Sequence, residues 1–143
     1  MNVLCVCTGN ICRSPMLTAL LRDALAKEGL DLTVSGAGTA TTDGVPPSPH
    51  AITAMYEIGV DVSELRSRQI TPAIVAETDI FVALSVEHGI TLAFQYGVDP
   101  ENILVPGAGI ADPYGQDLAT YRECRDQLIE ALPQLVADIK EFL

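Results

Sequence analysis

Short apolar runs alternate along the chain with longer segments in which apolar residues recur with a helical period. The apolar runs predict strands over residues 2–6, 30–36, 79–85 and 102–105. Helices are predicted from residue 15 onwards, over 49–59, 71–78 and 86–97, and from 118 to the C-terminus, where Pro133 kinks the helix or marks a boundary. Strands that alternate with helices are typical of an α/β fold with a parallel sheet and right-handed crossovers.

The segment between the first strand and the first helix lies where such folds bind ligands, at the carboxyl ends of the strands. Ser14 suits the N-cap of the helix that follows, Pro15 its first turn and Gly29 its end. We therefore expect residues 7–13 to form a loop at the ligand-binding edge of the sheet.

The composition excludes several classes of function. A length of 143 residues favours one domain, and a hydrophobic content of 48% excludes a disordered chain. No apolar run reaches the roughly 18 residues of a membrane span, and the N-terminus lacks the features of a secretion signal, so a cytoplasmic location is expected. The net charge of −11, from 19 acidic and 8 basic residues, argues against nucleic acid or an anionic membrane as a partner.

The cysteines and histidines do not have the spacing of a metal site. Cys5, Cys7 and Cys12 are clustered whereas Cys124 is remote, and the only histidines are His50 and His88. In a chain expected in the cytoplasm, these cysteines indicate reduced thiols rather than a disulfide framework. We therefore expect neither a metal nor a disulfide-stabilised fold.

The loop C-T-G-N-I-C-R, from Cys7 to Arg13, has the composition of an oxyanion site. A loop of this length can turn successive backbone N–H groups inward, and the helix that follows adds the positive end of its dipole. Arg13 offers a planar fork for two phosphate oxygens. At the bottom of this bowl, Cys7 would be stabilised as a thiolate and could attack phosphorus to form a cysteinyl phosphate.

Two residues of the loop suit unusual backbone angles. Gly9 permits angles that a side chain resists, and Asn10 tolerates the left-handed region better than most residues. Taken alone, the spacing of Cys7 and Arg13 is equally consistent with a second interpretation, in which Cys7 is a small core residue and Arg13 lies on the surface. The strand before the loop and the Ser-Pro helix start after it favour the phosphate site.

A phosphatase also needs a proton donor for the leaving oxygen, and ADPYG offers Asp112. Pro113 restricts Asp112 to an extended backbone, which can hold the carboxyl group in one pose. Asp-Pro by itself is typical of a simple turn, so this assignment depends on the loop at Cys7. Tyr114 is either a pocket wall for an aromatic substrate or a packed aromatic at a helix start.

These residues resemble the low-molecular-weight protein tyrosine phosphatases of bacterial type. The motifs are VCTGNICRSPM at 6–16 and DPYG at 112–115, with VSGAGT, SPHA and SRQIT between them in the family's order. The resemblance covers nearly the whole chain. It implies a single domain over 1–143 with a three-layer α/β fold, in which helices flank a four-stranded parallel sheet and a phosphate-binding loop joins the first strand to the first helix. It also implies that no cofactor or metal is needed.

By position, the resemblance implies Cys7 as nucleophile, Arg13 as phosphate clamp, and Asp112 as general acid and then general base. The implied substrate-binding set is Thr8, Gly9, Asn10, Ile11, Cys12, Ser14 and Tyr114. Within it, Ser14 donates a hydrogen bond to the thiolate, and Asn10 holds the loop through a bond to Ser35, a supporting residue. Cys12 is either the partner of Cys7 in a reversible protective disulfide or a small packed residue.

One position departs from the family pattern. Leu65 occupies a site where the family often has a histidine that supports the loop asparagine, so the network around Asn10 is expected to differ.

Relatives that share the loop leave several functions open. The main interpretation is a phosphatase of phosphotyrosine-containing proteins. Phosphoarginine phosphatases often have threonine at the position of Ile11, and this apolar side chain favours a phenyl ring instead. Arsenate reductases need a further cysteine pair in the central segment, and residues 60–110 contain none. A non-catalytic phosphate-binding module would need neither a thiolate nor an acid.

Overall fold

A computed structural model describes residues 1–143. Four strands, five α-helices and two short 3₁₀ turns follow one another along the chain. They are β1 (Asn2–Cys7), α1 (Arg13–Lys27), β2 (Thr33–Gly38), α2 (Pro49–Tyr56), α3 (Pro72–Glu77), β3 (Ile80–Ala83), α4 (Val86–Tyr96), the 3₁₀ turn Pro100–Asn102, β4 (Ile103–Leu104), the 3₁₀ turn Pro106–Ala108 and α5 (Leu118–Lys140).

The four strands form one parallel sheet in the order β2-β1-β3-β4. Parallel neighbours require crossovers, which the intervening helices supply. β1 is central and pairs over its whole length with β2, from Asn2 opposite Thr33 to Cys7 opposite Gly38. The predicted four-stranded parallel α/β fold is confirmed, and Cys7 is the last residue of β1, at the carboxyl edge of the sheet.

Helices cover both faces of the sheet, so the side chains of β1 are buried alternately on the two sides. Val3, Cys5 and Cys7 pack into the larger core cluster with α1, α2 and α5. Leu4 and Val6 pack into a smaller cluster with α3 and α4. Burial on both faces explains why β1 reads as a continuous apolar run, and it directs Cys7 towards α1 and α5.

The boundaries of α1 and β2 differ from the predicted ones. α1 begins at Arg13 with Cys12 as its N-cap, so Ser14 is the second helical residue and caps nothing. Gly29 ends α1 in the left-handed conformation, as predicted, with φ of 71°. β2 starts three residues later than expected because the N–H of Leu30 still donates to Leu25 O, at 3.0 Å, and closes the helix end.

Pro133 does not divide the last helix, which runs without interruption from Leu118 to Lys140. The predicted boundary there is wrong, because the neighbouring residues Leu135 and Val136 are buried in the core and keep the helix in place. No helix of the protein combines the length and the apolar character that a membrane crossing needs.

Gly38 allows the chain that leaves β1 to lie against the end of β2. A Cβ atom at Gly38 would lie 2.5 Å from the carbonyl oxygen of Thr8. The same carbonyl accepts a hydrogen bond from the N–H of Ala40 at 3.0 Å, and Thr39 donates to Cys7 O at 2.9 Å. The glycine therefore fixes how closely the loop at Cys7 approaches β2.

Gly38→Ala should lower the free energy of unfolding by about 1–3 kcal/mol, the usual effect of overpacking, because the backbone of Thr8 cannot yield as a flexible side chain can. Urea unfolding followed by circular dichroism measures the change. Gly89→Ala is the matched control. Its Cβ would meet nothing closer than 3.6 Å within α4, so it should stabilise the protein by about 0.5–1 kcal/mol. Equal effects of the two changes would contradict the close approach at Gly38.

Candidate active site

The sulfur of Cys7 lies in a buried position between two hydrogen-bond donors. Cys7 is 2% exposed. Its Sγ lies 3.0 Å from Ser14 Oγ and accepts from the N–H of Asn10 at 3.2 Å. Ser14 Oγ itself accepts from Asn10 Nδ2 at 2.6 Å, so its own proton is free to point to the sulfur. The sulfur is therefore placed to accept two hydrogen bonds.

Asn10 holds the loop from behind through Arg68. Asn10 has φ of 56°, the predicted left-handed conformation, whereas Gly9 has no positive φ, so the predicted need for a glycine there is wrong. Asn10 Oδ1 accepts from the backbone N–H of Arg68 at 3.1 Å. The expected bond between Asn10 and Ser35 is also wrong, because Ser35 Oγ accepts instead from Arg68 Nη2 at 2.8 Å.

Leu65, which stands where the family often has a histidine, makes no hydrogen bond to Asn10, whose side chain bonds only Arg68 and Ser14. Leu65 packs against the core. A Cβ at Gly36 would lie 2.7 Å from Asn10 Nδ2, so the amide of Asn10 needs a glycine beside it. The sequence motif SRQIT marked the segment of Arg68, but nothing in the motif indicated that a backbone N–H would hold Asn10.

Arg13 is 5% exposed and only partly paired. Its Nη1 donates to Ile110 O at 2.8 Å, and its Nη2 lies 3.6 Å from Asp112 Oδ2. The Nε atom is buried and has no hydrogen-bond partner. An unpaired guanidinium N–H in a buried position calls for an acceptor, and an oxyanion bound beside Cys7 would supply one.

Asp112 and Tyr114 reach the same edge of the sheet, as predicted. The N–H of Ile110 donates to Leu84 O at 2.8 Å, which ties the loop before α5 to the end of β3. Asp112 Oδ1 accepts from the N–H of Tyr114 at 3.1 Å, in a tight local turn. The side chain of Asp112 is 46% exposed, and Tyr114 is 66% exposed.

These residues line one cleft of about 350 Å³. Of the predicted site residues, it is lined by Cys7, Thr8, Gly9, Ile11, Cys12, Arg13, Asp112 and Tyr114, whereas Asn10, Ser14 and Ser35 lie behind it. Ala40 and Val45 add apolar wall. Across the protein, no three His, Cys, Asp or Glu side chains are placed to hold a metal ion. The donors of the cleft suit a small anion attached to an apolar group.

Cys12 has polar neighbours of its own. Its Sγ lies 3.3 Å from Tyr121 OH and 3.5 Å from Ser48 Oγ. Burial raises the pKa of the Cys12 thiol, so it is protonated at neutral pH. Cys7 and Cys12 are both free thiols here, and a disulfide between them stays a prediction.

His88 contacts the loop and was missed by the sequence interpretation. Its Nε2 lies 2.8 Å from Thr8 Oγ1, and its Nδ1 lies 2.7 Å from Ser85 Oγ. Ser85 also caps α4 by accepting from the N–H of His88. Burial, and secondarily the charge of Arg13, lowers the pKa of His88, so the ring is neutral and links the loop to α4. A serine three residues before a histidine at a helix start was the available signal.

Comparison with known proteins gives a consistent set of relatives. The family model described as "Low molecular weight phosphotyrosine protein phosphatase" matches residues 2–142. The protein-arginine-phosphatase of Bacillus subtilis (strain 168) is 31% identical over 99% of this chain and 98% of its own. Arsenate reductase 1 of Staphylococcus epidermidis is 35% identical over 89% of each chain. The crystal structure of a low molecular weight protein tyrosine phosphatase from T. tengcongensis superposes with a TM-score of 0.88 at 29% identity, over 96% of this chain and 98% of that one.

The pKa of His88 should be measurable by NMR titration of its imidazole signals, identified by their loss in His88→Gln. The midpoint should lie below the ordinary value of about 6.5. A folded-state pKa below the unfolded one means that the stability from the neutral ring is fully present above pH ~6.5 and is lost as the pH falls towards the folded-state pKa. Chemical unfolding of the protein and of His88→Gln across this range tests the sign. A midpoint at or above 6.5 would contradict the burial of a neutral ring.

Proposed function

The chain belongs to the low molecular weight phosphotyrosine protein phosphatase family, and from this premise we propose that it hydrolyses phosphotyrosine in proteins through a cysteinyl-phosphate intermediate. The observation that carries the proposal is the placement of Cys7 and Arg13 in one cleft. Two hydrogen-bond donors face the sulfur of Cys7, and the buried Nε of Arg13 has no partner. A bound phosphate group would occupy the space between them.

In the first step, the thiolate of Cys7 attacks phosphorus, and the sulfur–phosphorus bond forms as the bond to the phenolic oxygen breaks. Arg13 and the N–H groups of the loop bind the three remaining phosphate oxygens. The carboxyl group of Asp112 gives its proton to the leaving oxygen. Phosphate entering the cleft competes for Arg13 with Asp112, whose Oδ2 lies 3.6 Å from Nη2 of Arg13.

In the second step, water attacks the phosphorus of the cysteinyl phosphate. Asp112, now a carboxylate, takes the proton of the water, the sulfur–phosphorus bond breaks and inorganic phosphate leaves. The electron pair returns to the sulfur of Cys7, where the hydroxyl of Ser14 stabilises it at 3.0 Å. Ser14 therefore matters most when the thiolate departs.

The residues that line the cleft favour an aromatic substrate. Ile11, Val45 and Tyr114 line it, and Asp112 is the only carboxylate among its lining residues. A phenyl ring gains by burying its faces against such walls. A guanidinium group, as in phosphoarginine, needs several acceptors in the same place. The similarity to a protein-arginine-phosphatase makes phosphoarginine the second candidate.

The distribution of cysteines argues against arsenate reduction. Residues 60–110 contain no cysteine that could pass on a disulfide. The thiols outside the loop, Cys5 and Cys124, are buried, and burial raises the pKa of each to about 12. Neither is suited to act as a relay.

A hydrolysis panel of matched peptides tests the substrate class. We expect kcat/KM for phosphotyrosine to exceed that for phosphoarginine by about tenfold or more, because the aromatic ring packs on Ile11. Ile11→Thr should lower this ratio, and Ile11→Val, which keeps an apolar wall, should preserve it. Cys7→Ser should release phosphate from neither peptide and so controls for contaminating enzymes. A higher kcat/KM for phosphoarginine in the wild type would overturn the substrate assignment and leave the cysteinyl-phosphate chemistry standing.

Asp112→Asn tests the general acid. The asparagine keeps the oxygen that accepts from Tyr114, so the turn should survive, but it cannot give a proton. Hydrolysis of phosphotyrosine, whose leaving phenol has a pKa of about 10, should slow by about 10²–10⁴, and an activated nitrophenyl ester should lose less. The basic limb of the pH–rate profile should also flatten. Equal losses for both substrates with an unchanged basic limb would limit Asp112 to a structural role.

A further inference from the structure

A second cavity, of about 100 Å³, lies between α1, β2 and the segment around Arg68. None of the proposed catalytic residues lines it. Its lining residues are instead Asn10, Pro15, Thr18, Arg22, Ser35, Gly36, Leu65, Arg66 and Arg68. Three of the eight basic residues of the chain therefore surround one small space.

These three arginines differ from every other basic residue in having no carboxylate partner. The other five, Arg13, Lys27, Arg122, Arg125 and Lys140, each have a carboxylate oxygen at 2.6 to 3.6 Å. No salt bridge involves Arg22, Arg66 or Arg68, although the chain has 19 acidic residues. Like charges gathered without a counter-charge repel one another, and a bound anion would remove that repulsion.

The bonds that Arg22 and Arg68 make orient them and leave donors free. Arg22 Nε donates to Val34 O at 2.8 Å, and Arg68 Nε donates to Gly36 O at 2.9 Å. Arg68 Nη2 donates to Ser35 Oγ at 2.8 Å. Each guanidinium carries five N–H donors, so both side chains are fixed by neutral acceptors and keep further N–H groups for a ligand. A guanidinium group held in this way is preorganised to bind an oxyanion.

The wall of the cavity also contains an unpartnered buried hydroxyl. Thr18 is 2% exposed, and its Oγ1 makes no hydrogen bond in the protein. The hydroxyl lies close enough to the thiol of Cys5 to act on its pKa, but the geometry is not that of a hydrogen bond, and sulfur is a weak acceptor. A buried hydroxyl without a partner is unfavourable, and an acceptor inside the cavity would satisfy it.

We propose that this cavity is a second anion site, which binds one small tetrahedral oxyanion such as inorganic phosphate and does not depend on the proposed catalysis. The anion is held by the guanidinium groups and by the hydroxyl of Thr18. The site connects to the loop of Cys7 through Arg68, whose N–H donates to Asn10 at 3.1 Å. Asn10 in turn donates to Ser14 at 2.6 Å. An anion that fixes Arg68 therefore also braces the loop from behind.

Titration of the ¹⁵N-labelled protein with sodium phosphate, followed by amide chemical shifts, tests the site. Two saturable sets of shifts are expected, one at Gly9 and Ile11 in the loop and one at Thr18, Gly36 and Leu65. Sodium chloride at matched ionic strength should not reproduce the second set. Shifts confined to the loop, or equally produced by chloride, would overturn the second site and leave the proposed phosphatase site intact.

Charge-removing variants assign the second set of shifts. Arg22→Gln and Arg66→Gln, both at exposed arginines, should each weaken phosphate binding at Thr18 and Gly36 about tenfold and leave the shifts at Gly9 and Ile11 unchanged. Arg122→Gln removes the same charge from an arginine outside the cavity, one paired with Glu57, and should alter neither set. Unchanged binding at Gly36 in both cavity variants would refute the proposal.

A further variant tests the hydroxyl without changing the charge. Thr18→Val keeps the shape of the side chain and removes only the unpartnered hydroxyl. Without phosphate it should be at least as stable as the wild type in thermal unfolding. With phosphate, the affinity read at Gly36 should fall by about 2–10-fold, the range of one hydrogen bond. A variant that loses stability without phosphate and keeps its phosphate affinity would exclude Thr18 from the site.

Discussion

The sulfur of Cys7 depends on hydrogen bonds that begin outside its own loop. The N–H of Arg68 holds the carboxamide of Asn10, whose amino group holds Ser14, whose hydroxyl faces the sulfur. Asn10 serves both ends of this series from a left-handed backbone, with φ of 56°. The arrangement gives the sulfur of a buried residue two hydrogen-bond donors.

The fold was largely predictable because the pattern of apolar runs and helical periods is local information. The sequence placed all four strands, although β4 is only two residues long, since each strand is apolar and bounded by turn residues. The ends of elements were less predictable. Serine is a common N-cap residue, but the hydroxyl of Ser14 contacts Cys7 and Asn10 instead. No local sequence pattern indicates a tertiary contact of that kind.

The candidate site also has a part that the sequence predicts and a part that it does not. Cys7, Arg13 and Asp112 are recognisable from residue type and spacing, and the structure brings them together. The residues that support the loop are harder to recognise, because Arg68 acts through its backbone N–H. His88 approaches from α4, and its only signal in the sequence is the serine three residues before it. A backbone contact leaves no trace in residue type. The prediction that Gly9 takes a backbone angle closed to other residues was also wrong, since its φ is not positive. Gly38, in the strand next to β1, has the tighter contact.

The central position of β1 in the sheet has a consequence for the folding of the chain. β1 comes before the other strands of the sheet along the chain, but Val3 pairs with Ile80, and the partner of Arg13 is the carbonyl of Ile110. Contacts so distant in sequence slow folding, because long loops must close before the contacts form. The loop of Cys7 is thus synthesised before the segment of Ile110 that encloses it, and until that segment has folded onto the loop its thiol is open to solvent and oxidants.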